Sequence, residues 1–189
     1  MNFFVETYGC QMNKSDSLSV SQNMIRNGYN EVYHPEDANI VIINTCSVRK
    51  TAENRIWGRL GYYKGLKRIY NQTILVMGCM SQRVGVEFFN ESPVADIVVG
   101  NFYKDKIPDI IKNHQVGQRV AFIDQKTPIF GDSFPEADHP KKAFVTISHG
   151  CDNFCSYCIV PYLRGREVSR NSNDIIKDIN NLVAKGVMQ

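Results

Sequence analysis

The chain has 189 residues, 43% of them hydrophobic and 22% charged, with a formal net charge of +3. That is a globular composition, and at roughly 150 residues per domain it allows one full domain and a remainder. No apolar run reaches the roughly eighteen residues of a membrane-crossing helix. The start, MNFFVETYGCQMN, carries neither a basic leader nor a small-residue cleavage site. A cytoplasmic protein without membrane association is expected. In that compartment six cysteines point to metal or redox chemistry before disulfides.

The first predicted strand, Asn2 to Thr7, runs into Tyr8-Gly9-Cys10, and Asn13, Ser15 and Asp16 offer an N-cap for a helix ending near Gly28. The second, Asn39 to Asn44, carries Ile40-Val41-Ile42-Ile43 and runs into Asn44-Thr45-Cys46. The helix after it places Ala52, Ile56, Leu60 and Tyr63 on one face, close to a 3.6-residue period. A third strand, Thr73 to Met77, leads into Met77-Gly78-Cys79, and a fourth, Ala95 to Val99, ends at Gly100. A helix with Ile107, Ile110 and Ile111 follows, then a last strand over Val120 to Ile123. Continuous apolar strands alternating with helices predict an α/β domain, a doubly wound parallel sheet covered on both faces. In such sheets the binding crevice lies beyond the carboxyl ends of the strands. Cys10, Cys46 and Cys79 all fall there, 36 and 33 positions apart, so the sheet would gather three thiols at one edge.

Residues 1–123 thus read as one domain. Residues 124–142, with Pro128, Pro135 and Pro140 and little apolar periodicity, read as a linker. Residues 143–189 read as a second unit. A strand starts at Ala143 (AFVTISHGC), and a helix runs from Ser172 or Asn173 to Lys185. Its apolar side carries Ile175, Ile176, Ile179, Leu182 and Val183, and Gly186 stops it.

Between that strand and helix lies Cys151-Asp-Asn-Phe-Cys155-Ser-Tyr-Cys158. Iron–sulfur clusters normally take four cysteines, so three in one loop leave an iron open to a substrate or cofactor. A zinc site is the alternative, and it would want a fourth ligand, for which His149 is near. A satisfied structural role is the other reading of His149.

With Tyr157 before its last cysteine, this run resembles the signature of the radical S-adenosylmethionine superfamily. The resemblance implies that Cys151, Cys155 and Cys158 hold a 4Fe–4S cluster whose open iron chelates S-adenosyl-L-methionine. It also implies that Tyr157 packs near the adenine, that one electron yields a 5′-deoxyadenosyl radical, and that 143–189 begin a TIM-like barrel. The segments ETYGCQMN, INTCSVRKTAENR and VMGCMSQR, with CDNFCSYCIVPYLRGRE, resemble the MiaB-type tRNA methylthiotransferases along nearly the whole chain. That likeness implies a second, auxiliary 4Fe–4S cluster on Cys10, Cys46 and Cys79. It further implies methylthiolation at C2 of N6-isopentenyladenosine beside the tRNA anticodon, a reduced electron donor of flavodoxin or ferredoxin type, and a monomer. A ribosomal-protein target, a threonylcarbamoyladenosine target, or a non-catalytic iron–sulfur or zinc module that binds RNA are the alternatives. The first two branches tend to have Pro-Lys or Lys-Val after the first cysteine, where this chain has Gln11-Met12.

An RNA partner would suit the basic stretch Arg49, Lys50, Arg55, Arg59, Lys64, Lys67 and Arg68, which includes only one acid, Glu53. Trp57, Tyr62 and Tyr63 could stack bases there, or Trp57 and Tyr63 could be core aromatics. Arg164, Arg166 and Arg170 after the cysteine loop suggest substrate or cofactor contacts, and a solvated basic face is the plainer reading of all these charges. A barrel needs about 250 residues, so the chain is expected to be a fragment, inactive alone, with the Ile175/Ile176/Ile179/Leu182 face unpartnered.

Overall fold

A computed structural model describes residues 1–48, 50–123 and 141–188. Six strands form one sheet: β1 (Asn2–Thr7), β2 (Asn30–Glu31), β3 (Ile40–Thr45), β4 (Thr73–Gly78), β5 (Ile97–Val99) and β6 (Val120–Phe122). All are parallel, in the order β2-β1-β3-β4-β5-β6. The two-residue β2 is polar and exposed, so it carries no apolar signal in the sequence.

Strand β3 is buried along its whole length. Its side chains alternate between two cores, as the pleat requires. On one side Val41 and Ile43, with Ile74, Val76 and Val98, meet Ile56, Leu60 and Tyr63 of α2 (Lys50–Tyr70), Met80 of α3 (Cys79–Val84) and Phe88 of α4 (Phe88–Glu91). On the other side Ile40 and Ile42, with Phe3, Leu75 and Ile97, meet Val20 and Met24 of α1 (Gln11–Arg26) and Ile107, Ile110 and Ile111 of α5 (Ile107–Asn113). Burial of each such side chain contributes about 1.5–3 kcal/mol. The sheet is therefore doubly wound, and of the expected α2 face Ile56, Leu60 and Tyr63 are buried while Ala52 lies outside the described side chains.

Two expectations need correction. Helix α1 starts at Gln11, not after Asn13, Ser15 or Asp16. Cys10 is its N-cap in extended backbone, and Asn13 reaches back to accept from the Cys10 N–H at 3.4 Å. The second correction concerns the strand expected from Ala143. Only β7 (Ser148–His149) forms, antiparallel to β8 (Val168–Ser169), because Ala143–Ile147 finds no neighbouring strand among the described residues. Helices α6 (Val160–Arg164) and α7 (Ser172–Ala184) complete this segment, and the Asn171 side chain caps α7 by accepting from the Asn173 N–H at 2.9 Å. The expected linker lies outside the described residues except for Lys141 and Lys142. No helix among the described residues is long and apolar enough to cross a membrane.

Candidate functional site

The sheet order reverses between β1 and β3, the place where open parallel sheets bind ligands. Cys10 follows β1, Cys46 follows β3 and Cys79 opens α3 straight after β4. Gly9, at φ +136°, lets the first two loops meet, because a Cβ there would stand 2.7 Å from the Cβ of Cys46.

A buried polar lattice holds these loops. Asn13 Nδ2 donates to Asn44 Oδ1 and to the Thr45 carbonyl, both at 2.9 Å. Asn44 Nδ2 donates in return to the Asn13 carbonyl at 2.8 Å and to Ser17 Oγ at 2.9 Å. Thr45 Oγ1 donates to the Met77 carbonyl at 2.6 Å, tying the Cys46 loop to the strand that precedes Cys79. Buried Glu53 accepts from Ser47 Oγ at 3.0 Å and from Arg83 at 2.6 Å, binding the Cys46 loop to α3 a second time. These groups are nearly all satisfied, which is what keeps a buried polar cluster rigid instead of costly.

Two cavities open from this lattice. One, of about 310 Å³, is lined by Tyr8, Gly9, Cys10, Cys46, Thr51 and Arg55, among others. Burial and the Glu6 carboxylate push the Tyr8 phenol beside it up to about 12. The other, of about 140 Å³, brings Cys10 and Cys79 together with His149, Gly150, Ile159 and Arg164 of the second segment. Cys10, the exposed member of the three, is shared by both. Burial pushes the Cys79 thiol up, against the pull of Arg164. Among the described residues no three His, Cys, Asp or Glu side chains stand close enough to hold one metal ion as they are arranged. The residues nonetheless fit a metal cluster in other respects. All three donors are thiols, they share one sheet edge, and space borders each of them.

The second cysteine group sits in a tight loop. The Cys158 N–H donates to the Cys155 carbonyl at 2.9 Å, and the Cys151 N–H to the Gly165 carbonyl at 3.2 Å. Gly150 is required where it stands, since a Cβ would come 2.1 Å from the Arg166 carbonyl oxygen. Phe154 takes φ +46°, a region L residues rarely enter, with its ring against Tyr162 and under Arg166. Tyr157 is 90% exposed at the loop tip.

His149 is buried, with Nδ1 3.2 Å from the Arg164 carbonyl oxygen and Nε2 3.2 Å from Arg164 Nη1. Burial, with help from Arg164, holds its pKa down at about 4. Both ring nitrogens are engaged, so the structural reading of His149 stands and a zinc ligand does not. Asp16 accepts from Arg164 Nη2 at 2.9 Å and from Lys104 Nζ at 2.7 Å. Burial alone would raise the Asp16 carboxyl, yet Lys104 and Arg164 bring it to about 2. The reading of the three arginines as a solvated basic face is therefore corrected for two of them. Arg164 is buried against Asp16, and Arg170 donates to Asp178 and to the Thr146 carbonyl, both at 2.7 Å. Only Arg166 is open, 71% exposed beside Asp152.

The basic helix is likewise partly internal. Arg59 donates to both oxygens of Glu6 at 2.9 Å, and Lys67 pairs with Asp96. Tyr63 is a core residue whose hydroxyl donates to Glu6, Trp57 packs on Phe88, and Tyr62 is exposed under Arg59. Arg55, Lys64 and Arg68 are exposed, while Arg49 and the Lys50 side chain lie outside the described residues.

The family model described as "Uncharacterized protein family UPF0004" matches residues 2–100, which hold five of the six strands of the sheet and Cys10, Cys46 and Cys79. The chain belongs to this family. Curated relatives match UPF0004 and the second segment together. A protein of Treponema denticola named tRNA-2-methylthio-N(6)-dimethylallyladenosine synthase is 43% identical over 201 aligned positions, covering 100% of this chain and 44% of that protein. Proteins of the same name from Geobacter sulfurreducens and Clostridium perfringens are 43% and 44% identical over 98% and 97% of this chain, and 43% and 42% of their own lengths. This UPF0004 chain thus spans less than half the length of the relatives it matches, their N-terminal part.

Proposed function

We propose that this chain is the N-terminal part of a methylthiotransferase that replaces the C2 hydrogen of N6-isopentenyladenosine in tRNA by a methylthio group. The observation that carries the reading is the shared cavity. Cys10 and Cys79 from the sheet edge line it together with Gly150, Ile159 and Val160, which flank the Cys151–Cys158 loop. Residues 1–123 form the domain of the first thiol group, 124–142 connect it, and 143–189 begin a barrel.

In this reading Cys10, Cys46 and Cys79 hold one 4Fe–4S cluster and Cys151, Cys155 and Cys158 a second, each with one iron left open. Bound at the Cys151/Cys155/Cys158 cluster, S-adenosyl-L-methionine would supply a one-electron route to an aromatic C–H that acid–base chemistry does not reach. The chain's own part is placement. The Asn13–Asn44–Thr45 lattice fixes the first thiol group, and the Gly150 and Gly165 turns fix the second. Exposed Tyr157 is available to pack on an adenine ring. Arg55, Lys64 and Arg68 are placed to meet the phosphates of an anticodon stem-loop. The electron donor is of flavodoxin or ferredoxin type, and the protein acts as a cytoplasmic monomer.

The test is anaerobic reconstitution with iron and sulfide. Wild type should bind about twice the iron of either Cys10/Cys46/Cys79→Ala or Cys151/Cys155/Cys158→Ala. Added S-adenosyl-L-methionine should alter the EPR spectrum of the first variant and leave that of the second unchanged. Zinc in place of iron, or a single cluster indifferent to the sulfonium compound, sinks the reading.

A further inference from the structure

The two segments are fastened by a buried ion pair that the proposed chemistry does not use. Asp16 lies on α1 and Arg164 ends α6, 148 positions away, with both side chains 6% exposed. Arg164 spans Asp16 with one nitrogen and His149 with another, so its planar fork fixes an angle as well as a distance. Lys104 holds the other carboxylate oxygen. Neutral contacts cross the same seam. Ser15 Oγ and Thr146 Oγ1 are 3.0 Å apart, and Asn101 Nδ2 donates to the Leu163 carbonyl at 2.8 Å while standing 3.8 Å from Cys79 Sγ.

This seam covers one thiol and not another. Cys79 is 4% exposed and adjoins the cavity walled by Leu163 and Arg164. Cys46 is 2% exposed, but the cavity beside it is lined only by residues of the first unit. Two apolar surfaces could slide past one another at such a seam. A buried, forked ion pair leaves an unpaired charge in every register but one, which selects a single docked pose.

We propose that Asp16 and Arg164 are positioning residues. Their ion pair docks residues 148–164 onto the sheet edge, seals Cys79 and completes the cavity that the two cysteine groups share. The use of that pose rests on the function proposed above, whereas the docking itself does not.

The experiment is site-resolved alkylation of the full 189-residue chain, reduced and chelator-treated, with N-ethylmaleimide read by mass spectrometry. In wild type Cys79 and Cys46 should both react slowly. Asp16→Asn and Arg164→Gln should each speed Cys79 by on the order of a hundredfold through local opening, with Cys46 unchanged. Arg164→Lys, which keeps the charge but not the fork, should fall between Arg164→Gln and wild type. A purely electrostatic effect would drive the two charge-removing variants in opposite directions at Cys79, and that result overturns the proposal. So does no change in either variant. Equal acceleration of Cys46 and Cys79 overturns it as well, because the pair would then hold the whole fold and not the seam. The readout needs no metal, so failure of the iron–sulfur reading leaves this result standing.

Discussion

Gly9 and Cys46 touch across the switch point of the sheet so closely that any β-carbon on Gly9 would lie 2.7 Å from that of Cys46, and 2.6 Å from Asn13 Oδ1. With φ at +136° the backbone conformation is closed to other residues as well. Gly9→Ala should cost at least about 2 kcal/mol, read from urea midpoints. It should also reduce iron uptake by the first cysteine group while sparing the second. Gly58→Ala is the control. It lies within α2 with nothing inside 4 Å of its would-be Cβ, and should add about 0.5–1 kcal/mol. Equal effects of the two changes would contradict this account of the loop.

The Asn44 side chain accepts from Asn13 and donates to Asn13 and Ser17, all of them buried. Asn44→Ala strands those partners without replacing them. A loss of about 2–3 kcal/mol is expected, measurable by denaturant unfolding followed through Trp57, the chain's only tryptophan. A loss below about 0.5 kcal/mol would mean that the lattice does not hold the loops.

Acid should weaken the seam through Asp16. Its carboxyl ordinarily titrates near 3.8 but is held at about 2 in the fold. As pH falls the unfolded chain therefore takes up this proton first. The stabilisation is complete above about pH 4 and is lost as pH falls to 2, with about 2 kcal/mol at stake. Urea midpoints taken at about pH 4.5 and pH 2.5 should differ less for Asp16→Asn than for wild type. A variant with the wild-type acid limb would show that the carboxylate is not stabilised in this way.

The stripe Ile176, Ile179 and Val183 on α7 is 54%, 44% and 61% exposed, whereas Leu182 on the same helix is buried. Ile176→Glu with Val183→Lys should raise solubility, seen as less light scattering at matched concentration, and shift stability by no more than about 0.5 kcal/mol. A large destabilisation would mean that the stripe is covered in solution.

What could be read from the amino acids alone follows from how local each signal is. Strands β1, β3 and β4 were legible because each is a continuous apolar run ending beside a cysteine. Strand β2 was not, since two polar residues pair with β1 only through a contact made far along the chain. The three thiols at one edge followed from strand–helix spacing. The Asn13–Asn44–Thr45 lattice did not, because which polar side chains meet is decided by the register between β1 and β3. Arg164 was misjudged for a related reason. Charge is visible in a sequence and burial is not, so its partner on α1 could not be anticipated. Cap preference points to the polar residues Asn13, Ser15 and Asp16 for the α1 N-cap, but Cys10 takes that place.

The two thiol groups differ in what must happen before each can grip a metal. Cys151, Cys155 and Cys158 are neighbours along the chain and stay within reach of one another however the rest is arranged. Cys10, Cys46 and Cys79 become neighbours only after three parallel strands have paired through two long crossovers, the slow kind of contact to form. Under the proposed function, metal capture by the dispersed trio would therefore depend on completed tertiary assembly, whereas the local trio would need only its own loop.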